Sequence, residues 1–342
     1  MSTFSQATNS FSDSFNSRLN IDYLLDVKVL EKEDVQDVIS GFNNIPKSIP
    51  ARYFYDAKGS QLFEKICELP EYYPTRTEAS ILEQYAVEIA GQAPVNKIIE
   101  LGSGSSSKTR YLLDAYDNFQ TGLVYSPIDV SDSILKTSAI ALLKKYPQLT
   151  IQGKVATYDQ ALQGLKSDSS KSKMVVFLGS SIGNFAPDQC DRFLAQVTKA
   201  LNPRDYFLLG IDLQKPRDIL EAAYNDAKGV TAAFNLNMLQ HLNFCFSGNF
   251  KPDLFTHKAI YNSVEHQIEM YLTSKQEQSV ILQDIGLNIE IKQSEKILTE
   301  ISRKFNLEVM QEYLSKFNFD TIRTYTDKQQ KFGLMLLKVQ NR

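Results

Sequence analysis

The stretch Ile98-Ile99-Glu100-Leu101-Gly102-Ser103-Gly104-Ser105-Ser106-Ser107-Lys108 predicts a buried strand that runs directly into a turn of small residues and then a helix. Because glycine has no side chain, the backbone of such a turn can approach a ligand closely. A second apolar run, 123–128, ends at Asp129. A carboxylate at the tip of the second strand is well placed to accept hydrogen bonds from ribose hydroxyls. The two segments therefore predict a site for a compound that contains adenosine.

The composition of the turn distinguishes between cofactors. A dinucleotide fingerprint has a third glycine where Ser107 stands here, and Glu100 would be a poor neighbour for a pyrophosphate. The Glu-Leu-Gly-Ser-Gly turn resembles motif I of methyltransferases that use S-adenosylmethionine, which carries a cationic sulfonium and no phosphate. Two alternatives remain open at this point: a nicotinamide-dependent oxidoreductase, and a tight strand–helix turn that binds nothing.

Composition and charge narrow the class of protein. The chain has 342 residues, 43% hydrophobic and 23% charged, with a net charge of −3, which is typical of a globular protein without a nucleic-acid footprint. No apolar run approaches the ~20 residues that span a bilayer, so we expect no membrane segment. The three cysteines indicate a reducing compartment, and the three histidines have no metal-ligand spacing. We therefore expect a cytoplasmic protein without a metal, and we also expect it to be a monomer.

The N-terminal part reads as a lead-in followed by helices. Residues 1–20 are rich in Ser, Asn and Phe and lack the pattern of a secretory signal, which predicts a flexible segment. Spaced apolar residues predict a helix over 21–40, within a helical segment spanning 21–75. Thr75 and Glu78 have the spacing of a capping box, which predicts the start of the next helix.

From residue 95 to 213, apolar strands alternate with helices, which predicts a doubly wound α/β fold with a mostly parallel sheet. Short segments with period-2 alternation follow between 258 and 292 and predict a smaller antiparallel element. The segments 320–326 and 332–339 predict a C-terminal hairpin that forms an antiparallel edge of the main sheet.

Seven segments, distributed from about residue 45 onward, carry a more specific likeness. They are 46–56, 69–78, 100–110, 177–185, 223–226 with 229–235, 268–270, and 298–302. Together they resemble the histidine-specific Nα-methyltransferases of ergothioneine biosynthesis. The resemblance implies transfer of three methyl groups from S-adenosylmethionine to the α-amino nitrogen of L-histidine, giving trimethylhistidine (hercynine).

The resemblance also implies a domain arrangement. A class I methyltransferase domain is expected from 76–215 and 303–342. A smaller inserted α+β domain for the substrate is expected from 216–302, and the segment 21–75 is expected to contribute to the same pocket.

The resemblance further implies a set of histidine-binding residues. They are Tyr55, Tyr72, Gly179, Asn184, Tyr224, Met270, Glu300 and Ser302, with Tyr55 and Asn184 as the catalytic pair. Glu300 and Ser302 are two residues apart, so on a strand they face the same side. A carboxylate accepts from one imidazole N–H, and a hydroxyl serves the other ring nitrogen. Asn184 is expected to hold the amino-acid end of the substrate. Tyr55, Phe63 and Tyr72 are expected to surround the quaternary ammonium that forms.

On the side of the methyl donor, the matching positions are Tyr72, Gly102, Lys108, Asp129, Thr157 and Tyr158. Lys108 is expected to meet the methionyl carboxylate, and Asp129 the ribose. The family usually has Asp-Phe where this chain has Thr157 and Tyr158, so the adenine contact is expected from Thr157 or from Asp159. A different substrate, such as a tryptophan derivative, and a catalytically silent relative remain alternative hypotheses.

Overall fold

The computed structural model of the protein describes residues 17–25, 32–119, 122–167 and 172–340. In chain order the strands are β1 (Leu19–Tyr23), β2 (Lys47–Ser48), β3 (Lys97–Leu101), β4 (Val124–Asp129), β5 (Thr150–Val155), β6 (Lys173–Phe177), β7 (Tyr206–Asp212), β8 (Phe255–Asn262), β9 (Gln267–Ser274), β10 (Gln278–Leu282), β11 (Leu287–Ile291), β12 (Lys296–Arg303), β13 (Phe319–Thr326) and β14 (Phe332–Val339). The α-helices are α1 (Lys32–Asn43), α2 (Ala57–Cys67), α3 (Tyr73–Gln92), α4 (Thr109–Phe119), α5 (Asp132–Lys145), α6 (Tyr158–Gln163), α7 (Pro187–Ala200), α8 (Arg217–Tyr224), α9 (Val230–Phe246) and α10 (Leu307–Ser315).

The central sheet has the strand order β1-β5-β4-β3-β6-β7-β14-β13. Strands β1 to β7 of this sheet run parallel, and β14 and β13 are antiparallel to their neighbours. This confirms the predicted doubly wound class I methyltransferase fold with an antiparallel C-terminal hairpin. Successive strands spread in opposite directions from β3 and β6, and in open α/β sheets ligands bind beyond the carboxyl ends of strands at such a reversal.

Alternation of side chains explains why helices cover both faces of the sheet. Ile98 packs with α3, α4 and α5 in one core, whereas its neighbour Ile99 packs with α6, α7 and α10 in another. Successive residues of a strand point to opposite faces. Strands that are buried on both sides read as continuous apolar runs, which is why the sequence predicted them well.

A smaller layer lies over the carboxyl edge of the central sheet, that is, the edge formed by the carboxyl ends of its parallel strands. It contains a four-stranded sheet of order β2-β12-β9-β8 and a separate antiparallel ladder of β10 and β11. A third core joins this layer to α1, α2, α8 and α9. The period-2 segments predicted between 258 and 292 are thus confirmed as antiparallel strands, and β2 brings the N-terminal part of the chain into the same sheet.

The chain leaves and re-enters the central layer at neighbouring positions. After β7, Gln214 donates its backbone N–H to the carbonyl of Phe305 at 2.9 Å, and Phe305 donates to the carbonyl of Asp212 at 2.8 Å. Leu213 and Phe305 form an isolated parallel bridge. These two crossings between the layers therefore lie side by side, and we call them the neck. The further connection from α2 to α3 passes beside it, because the Tyr73 hydroxyl donates to Asp212 at 2.7 and 2.8 Å.

The prediction of a helix over 21–40 is wrong at its start. Ile21 lies in β1, which pairs in parallel with β5 from Leu19 to Tyr23. Arg18 fixes this edge, because its Nη1 donates to the carbonyls of Tyr146 and Leu149 at 3.0 and 3.1 Å. The strand begins within the predicted lead-in of 1–20, of which 1–16 lie outside the described residues. Pairing with a distant strand decides the structure here.

The capping box predicted from Thr75 and Glu78 is also wrong. Helix α3 begins earlier, at Tyr73, because proline is favoured in a first turn, where Pro74 lies. Thr75 instead donates its hydroxyl to the Cys67 sulfur at 3.3 Å.

Among the described residues, no helix combines the length and the apolar character needed to cross a membrane.

Candidate functional site

The turn after β3 approaches its neighbours too closely for a side chain at Gly102. Gly102 has a φ of +70°, and it donates its N–H to the carbonyl of Ile128 at 2.8 Å. A Cβ atom placed at this position would lie 2.8 Å from the hydroxyl oxygen of Tyr158, the first residue of α6. The backbone conformation therefore favours glycine, and a side chain at this position would also displace the Tyr158 hydroxyl.

Gly102→Ala is expected to impair binding of the methyl donor as well as folding. The left-handed conformation costs ~1–2 kcal/mol for a residue with a side chain. Gly286→Ala is a matched control, because Gly286 has a φ of +61° and no atom within 4 Å of the added Cβ. Calorimetry with S-adenosylmethionine should give a loss of affinity of about tenfold or more, ~1.4 kcal/mol, for Gly102→Ala alone. Equal donor affinity in both variants would contradict a cofactor role for this turn.

Asp129 stands at the end of β4 and is hydrogen-bonded to the same turn. One carboxylate oxygen accepts from the Gly104 N–H at 2.8 Å and the other from the Ser131 N–H at 2.9 Å. Burial raises the pKa of Asp129, and these backbone hydrogen bonds lower it. The carboxylate is thus fixed beside the glycine turn, at the position predicted for contact with ribose.

The predicted adenine contacts begin α6. Thr157 is its N-cap: the hydroxyl accepts from the Gln160 N–H at 3.3 Å, and the Gln160 side chain accepts from the Thr157 N–H at 3.1 Å. Thr157 and Asp159 are both exposed, whereas Tyr158 is partly buried and its ring packs edge-on against Phe177. The choice between Thr157 and Asp159 stays a prediction.

Glu100 lies in β3, two residues before Gly102, and holds the glycine turn in place through hydrogen bonds. It is buried, and it accepts hydrogen bonds from the Thr109 hydroxyl at 2.5 Å and from the Tyr125 hydroxyl. Burial raises the pKa of Glu100 and outweighs the lowering effect of the two hydrogen bonds, which leaves the pKa at about 7. Glu100 therefore ties β3 to β4 and α4.

A buried carboxylate that sequence reasoning missed holds Lys108. Glu78 is fully buried; it pairs with the Lys108 ammonium and accepts from the Gly179 N–H, with both oxygens 2.9 Å from that nitrogen. Burial lowers the pKa of Lys108, but the charge and hydrogen bond of Glu78 outweigh this, so the pKa is raised. The capping-box interpretation hid Glu78, although a glutamate within an apolar helix face is itself a signal.

On the other side of the site, aromatic rings form a continuous wall. The ring centroids of Tyr55 and Phe63 are 5.9 Å apart, those of Phe63 and Tyr72 are 6.4 Å apart, and those of Tyr72 and Tyr224 are 6.0 Å apart. Burial raises the pKa values of Tyr55, Tyr72 and Tyr224. These side chains are therefore neutral phenols at physiological pH.

Strands β12 and β9 bring Glu300 and Ser302 to the same wall. Glu300 lies directly opposite Met270, and Ser302 lies opposite Ile268, so all four side chains share one face of the antiparallel pair. Met270 and Ile268 belong to the core of the smaller layer, so this face points inward. Burial raises the pKa of Glu300 and outweighs the lowering effect of the Lys304 charge, which leaves the pKa at about 7.

A buried ammonium connects this face to the central sheet. Lys304 donates to the Ser302 hydroxyl at 2.8 Å and to the Tyr224 hydroxyl at 3.0 Å, and it pairs with Asp212 at 2.9 Å. The hydroxyl oxygens of Tyr224 and Ser302 are 2.9 Å apart. Lys304 and Asp212, which form part of the neck, were both missed by the sequence reasoning.

Asp212 has further partners on its other side. It accepts from the Tyr73 hydroxyl at 2.7 and 2.8 Å and pairs with Lys215 at 2.5 Å. Burial raises the pKa of Asp212, but Lys304 and Lys215 outweigh this, so the pKa is lowered. Burial also lowers the pKa of Lys215 to about 8. The carboxylate is therefore ionised, and it compensates the charge of Lys304.

Asn184 lies in a short 3₁₀ turn, Ser181–Asn184, that follows β6 and packs on the end of β12. A Cβ atom at Gly183 would lie 2.8 Å from the carbonyl oxygen of Arg303, so the turn and the strand are in close contact. Asn184 is partly buried. The turn therefore lies between the central sheet and the face that carries Glu300.

The predicted residues thus form two groups that meet across the carboxyl edge of the central sheet. Gly102, Lys108, Asp129, Tyr158 and Gly179 lie at that edge, with Thr157 at its exposed margin. The second group, from the overlying layer and the segment before α3, contains Tyr55, Tyr72, Tyr224, Met270, Glu300 and Ser302, with Asn184 between the groups. Within the described ranges, no three His, Cys, Asp or Glu side chains are placed to hold a metal ion.

Comparison with known proteins identifies the family. The chain is 40% identical to a histidine N-alpha-methyltransferase of Mycolicibacterium smegmatis over 301 residues, covering 88% of this chain and 93% of that protein. It is 38% identical, with the same coverage, to the enzyme of that name from Mycobacterium tuberculosis. It is also 38% identical to ergothioneine biosynthesis protein 1 of Neurospora crassa, over 58% of this chain and 23% of that protein.

The family match covers most of the molecule, including both groups of site residues. Residues 34–339 match the family described as histidine-specific methyltransferase, SAM-dependent, where SAM is S-adenosylmethionine. The strand order and the glycine turn fit that assignment independently. The chain therefore belongs to the family of S-adenosylmethionine-dependent, histidine-specific methyltransferases.

Proposed function

We propose that this enzyme transfers three methyl groups in succession from S-adenosylmethionine to the α-amino nitrogen of L-histidine, as a step of ergothioneine biosynthesis. The observation that carries the proposal is the pair Glu300 and Ser302 on one inward face of β12, opposite Met270 and Ile268. A carboxylate and a hydroxyl on a buried face match the donor and acceptor nitrogens of an imidazole ring.

The same pair supplies selectivity. Glu300 accepts from one ring N–H, and a hydroxyl at Ser302 pairs with the other nitrogen. A substrate without the ring would leave these polar groups unpaired, and sites built to hydrogen-bond a substrate reject such analogues strongly. Met270 contributes apolar contact to the ring from the facing strand.

The methyl donor is proposed to lie along the carboxyl edge of the central sheet. Asp129 accepts from the ribose hydroxyls, Lys108 faces the methionyl carboxylate, and Gly102 lets the backbone come close. Tyr158 and its neighbour Thr157 border the adenine. Tyr72 belongs to the wall that separates this side from the substrate, so it touches both.

The reaction is a displacement in which the neutral amine attacks the sulfonium methyl group, the bond between that carbon and sulfur breaks, and S-adenosylhomocysteine leaves as the neutral thioether. Holding nitrogen, carbon and sulfur in line at ~3–3.5 Å supplies most of the acceleration. Tyr55 and Asn184 orient the amine, and as a neutral phenol Tyr55 relays the released proton to water. The rings of Tyr55, Phe63 and Tyr72 stabilise the cationic nitrogen by ~0.5–2 kcal/mol each when water is excluded.

We also propose that the enzyme works as a monomer in the cytoplasm. The low number of cysteines supports a reducing compartment.

The test is mass spectrometry of products after the purified protein is incubated with S-adenosylmethionine and, separately, histidine, tryptophan, tyrosine or histamine. We expect three successive methyl additions to histidine alone. Histamine is the matched control for the substrate carboxylate, and tryptophan for the ring. Methylation of tryptophan in place of histidine would overturn the substrate assignment, and an end point of one or two methyl groups would overturn trimethylation.

A further inference from the structure

All three N–H donors of the Lys304 ammonium have hydrogen-bond partners. Its side chain is fully buried, and the ammonium contacts Asp212, Tyr224 and Ser302 at 2.9, 3.0 and 2.8 Å. An ammonium has three N–H donors and no acceptor, so these three contacts use all of them. The oxygens of Tyr224 and Ser302 must therefore accept from Lys304.

The remaining hydrogens can be counted. Tyr224 and Ser302 carry one hydroxyl hydrogen each, and their oxygens are 2.9 Å apart, so one hydroxyl donates to the other. The second hydrogen has no acceptor within the triad of Lys304, Tyr224 and Ser302, because Lys304 offers none. This hydrogen is available to the pocket, on the face that also carries Glu300.

We propose that Lys304 is a positioning residue that fixes the hydrogen-bond polarity of the substrate pocket. Through Ser302 and Tyr224 it makes the pocket offer one donor beside the acceptor of Glu300, which together select a neutral imidazole in one tautomer. The inference rests on the proposed function, because it specifies how that site chooses histidine.

Asp212, in the neck, stabilises the charged form of Lys304. A buried ammonium is costly unless it is paired, and Asp212 pairs with it while also binding Lys215 and Tyr73. The groups that act on Glu300 are Lys304, Tyr55, Tyr72 and Tyr224, of which Lys304 alone is a cation. Loss of the Lys304 charge should therefore raise the pKa of Glu300.

The experiment compares Lys304→Met with Lys215→Met, which removes the other cation on Asp212 without touching Ser302 or Tyr224. Wild-type enzyme is assayed first, since failure to methylate histidine would reject the proposed function itself. With an active wild type, we expect Lys304→Met to raise the KM for histidine by about tenfold or more while the KM for S-adenosylmethionine stays within about twofold. In the pH profile of kcat/KM, the acidic limb, where kcat/KM falls as the pH is lowered, should move to higher pH in this variant only.

A purely structural role would lower the stability of both lysine variants and leave the acidic limb in place. Lys304→Arg tests the same point with the charge kept, and it also serves if Lys304→Met does not fold. The planar guanidinium cannot reproduce three contacts in the ammonium geometry, so the KM for histidine should rise with the acidic limb unmoved. A wild-type KM for histidine in Lys304→Arg, or a pH limb and KM in Lys304→Met equal to those in Lys215→Met, would overturn the proposal.

Discussion

Replacing Glu300 with alanine is expected to lower kcat/KM for histidine by about 100-fold or more, ~3 kcal/mol, with little effect on the affinity for S-adenosylmethionine. The substitution removes the acceptor for an imidazole N–H and leaves that N–H unpaired in a buried pocket. The neighbouring Ser302 and Tyr224 remain hydrogen-bonded to Lys304, so the face itself stays ordered. Steady-state kinetics with histidine and with tryptophan measures both the loss and any gain of a new substrate.

Glu300→Gln provides the shape-matched control and tests the charge. The pKa of Glu300 is raised to about 7, so as the pH falls through 7 the carboxylate becomes protonated and loses the negative charge that strengthens its hydrogen bond to the ring N–H. Wild-type kcat/KM should therefore decline below pH 7, and Glu300→Gln should lose this contribution. The imidazole of the substrate titrates identically in every assay, so a difference between variants reports on the enzyme. Unchanged histidine kinetics in Glu300→Ala would remove Glu300 from imidazole recognition.

The second large effect is expected at Glu78. Its carboxylate is fully buried against Gly210, where an added Cβ would lie 2.0 Å from a carboxylate oxygen, and it pairs with both Lys108 and the Gly179 N–H. Breaking a buried pair costs ~3–5 kcal/mol, and the partial exposure of Lys108 places Glu78→Gln nearer ~2–3 kcal/mol. We expect a loss of stability of that size and about tenfold weaker binding of S-adenosylmethionine, because Lys108 is no longer held at the sheet edge.

Denaturant unfolding and calorimetry measure these two consequences separately. Glu83→Gln is the matched control, since Glu83 lies on the same helix α3 and is exposed, and it should change stability by less than ~0.5 kcal/mol. Donor affinity in Glu78→Gln that equals the wild-type value would mean that Glu78 stabilises the fold without positioning Lys108.

Prediction from sequence succeeded where a segment carries its own signal. The continuous apolar run of β6 and the small-residue turn after β3 need no knowledge of distant residues, and both were located to within a few residues. The strand β1 failed for the opposite reason. Its five residues are only partly apolar, and what makes them a strand is pairing with β5, which no local pattern reveals.

The residues of the candidate site also fall into those that the sequence predicted and those that it missed. Glu300 and Ser302 were predicted because a resemblance pointed to them, and their spacing made physical sense on a strand. Glu78, Asp212 and Lys304 were missed because a buried charge is explained only by its partners, which here come from other elements of the fold. Such residues become visible once the chain is folded, since burial and pairing are tertiary properties.

The neck has a mechanical consequence. Any rocking of the smaller layer against the central sheet would turn about the neck, because Asp212, Gln214 and Phe305 are hydrogen-bonded there, and Tyr73, where the chain passes from α2 to α3, bonds to the same Asp212. Displacement grows with distance from such a pivot, as in hinge motions generally. Lys304 and Ser302 lie next to such a pivot and would move least, whereas residues farther along β12 and β9 would move more. Under the proposed function, Ser302 would therefore keep its distance from the central sheet while more distant parts of the smaller layer open for the substrate.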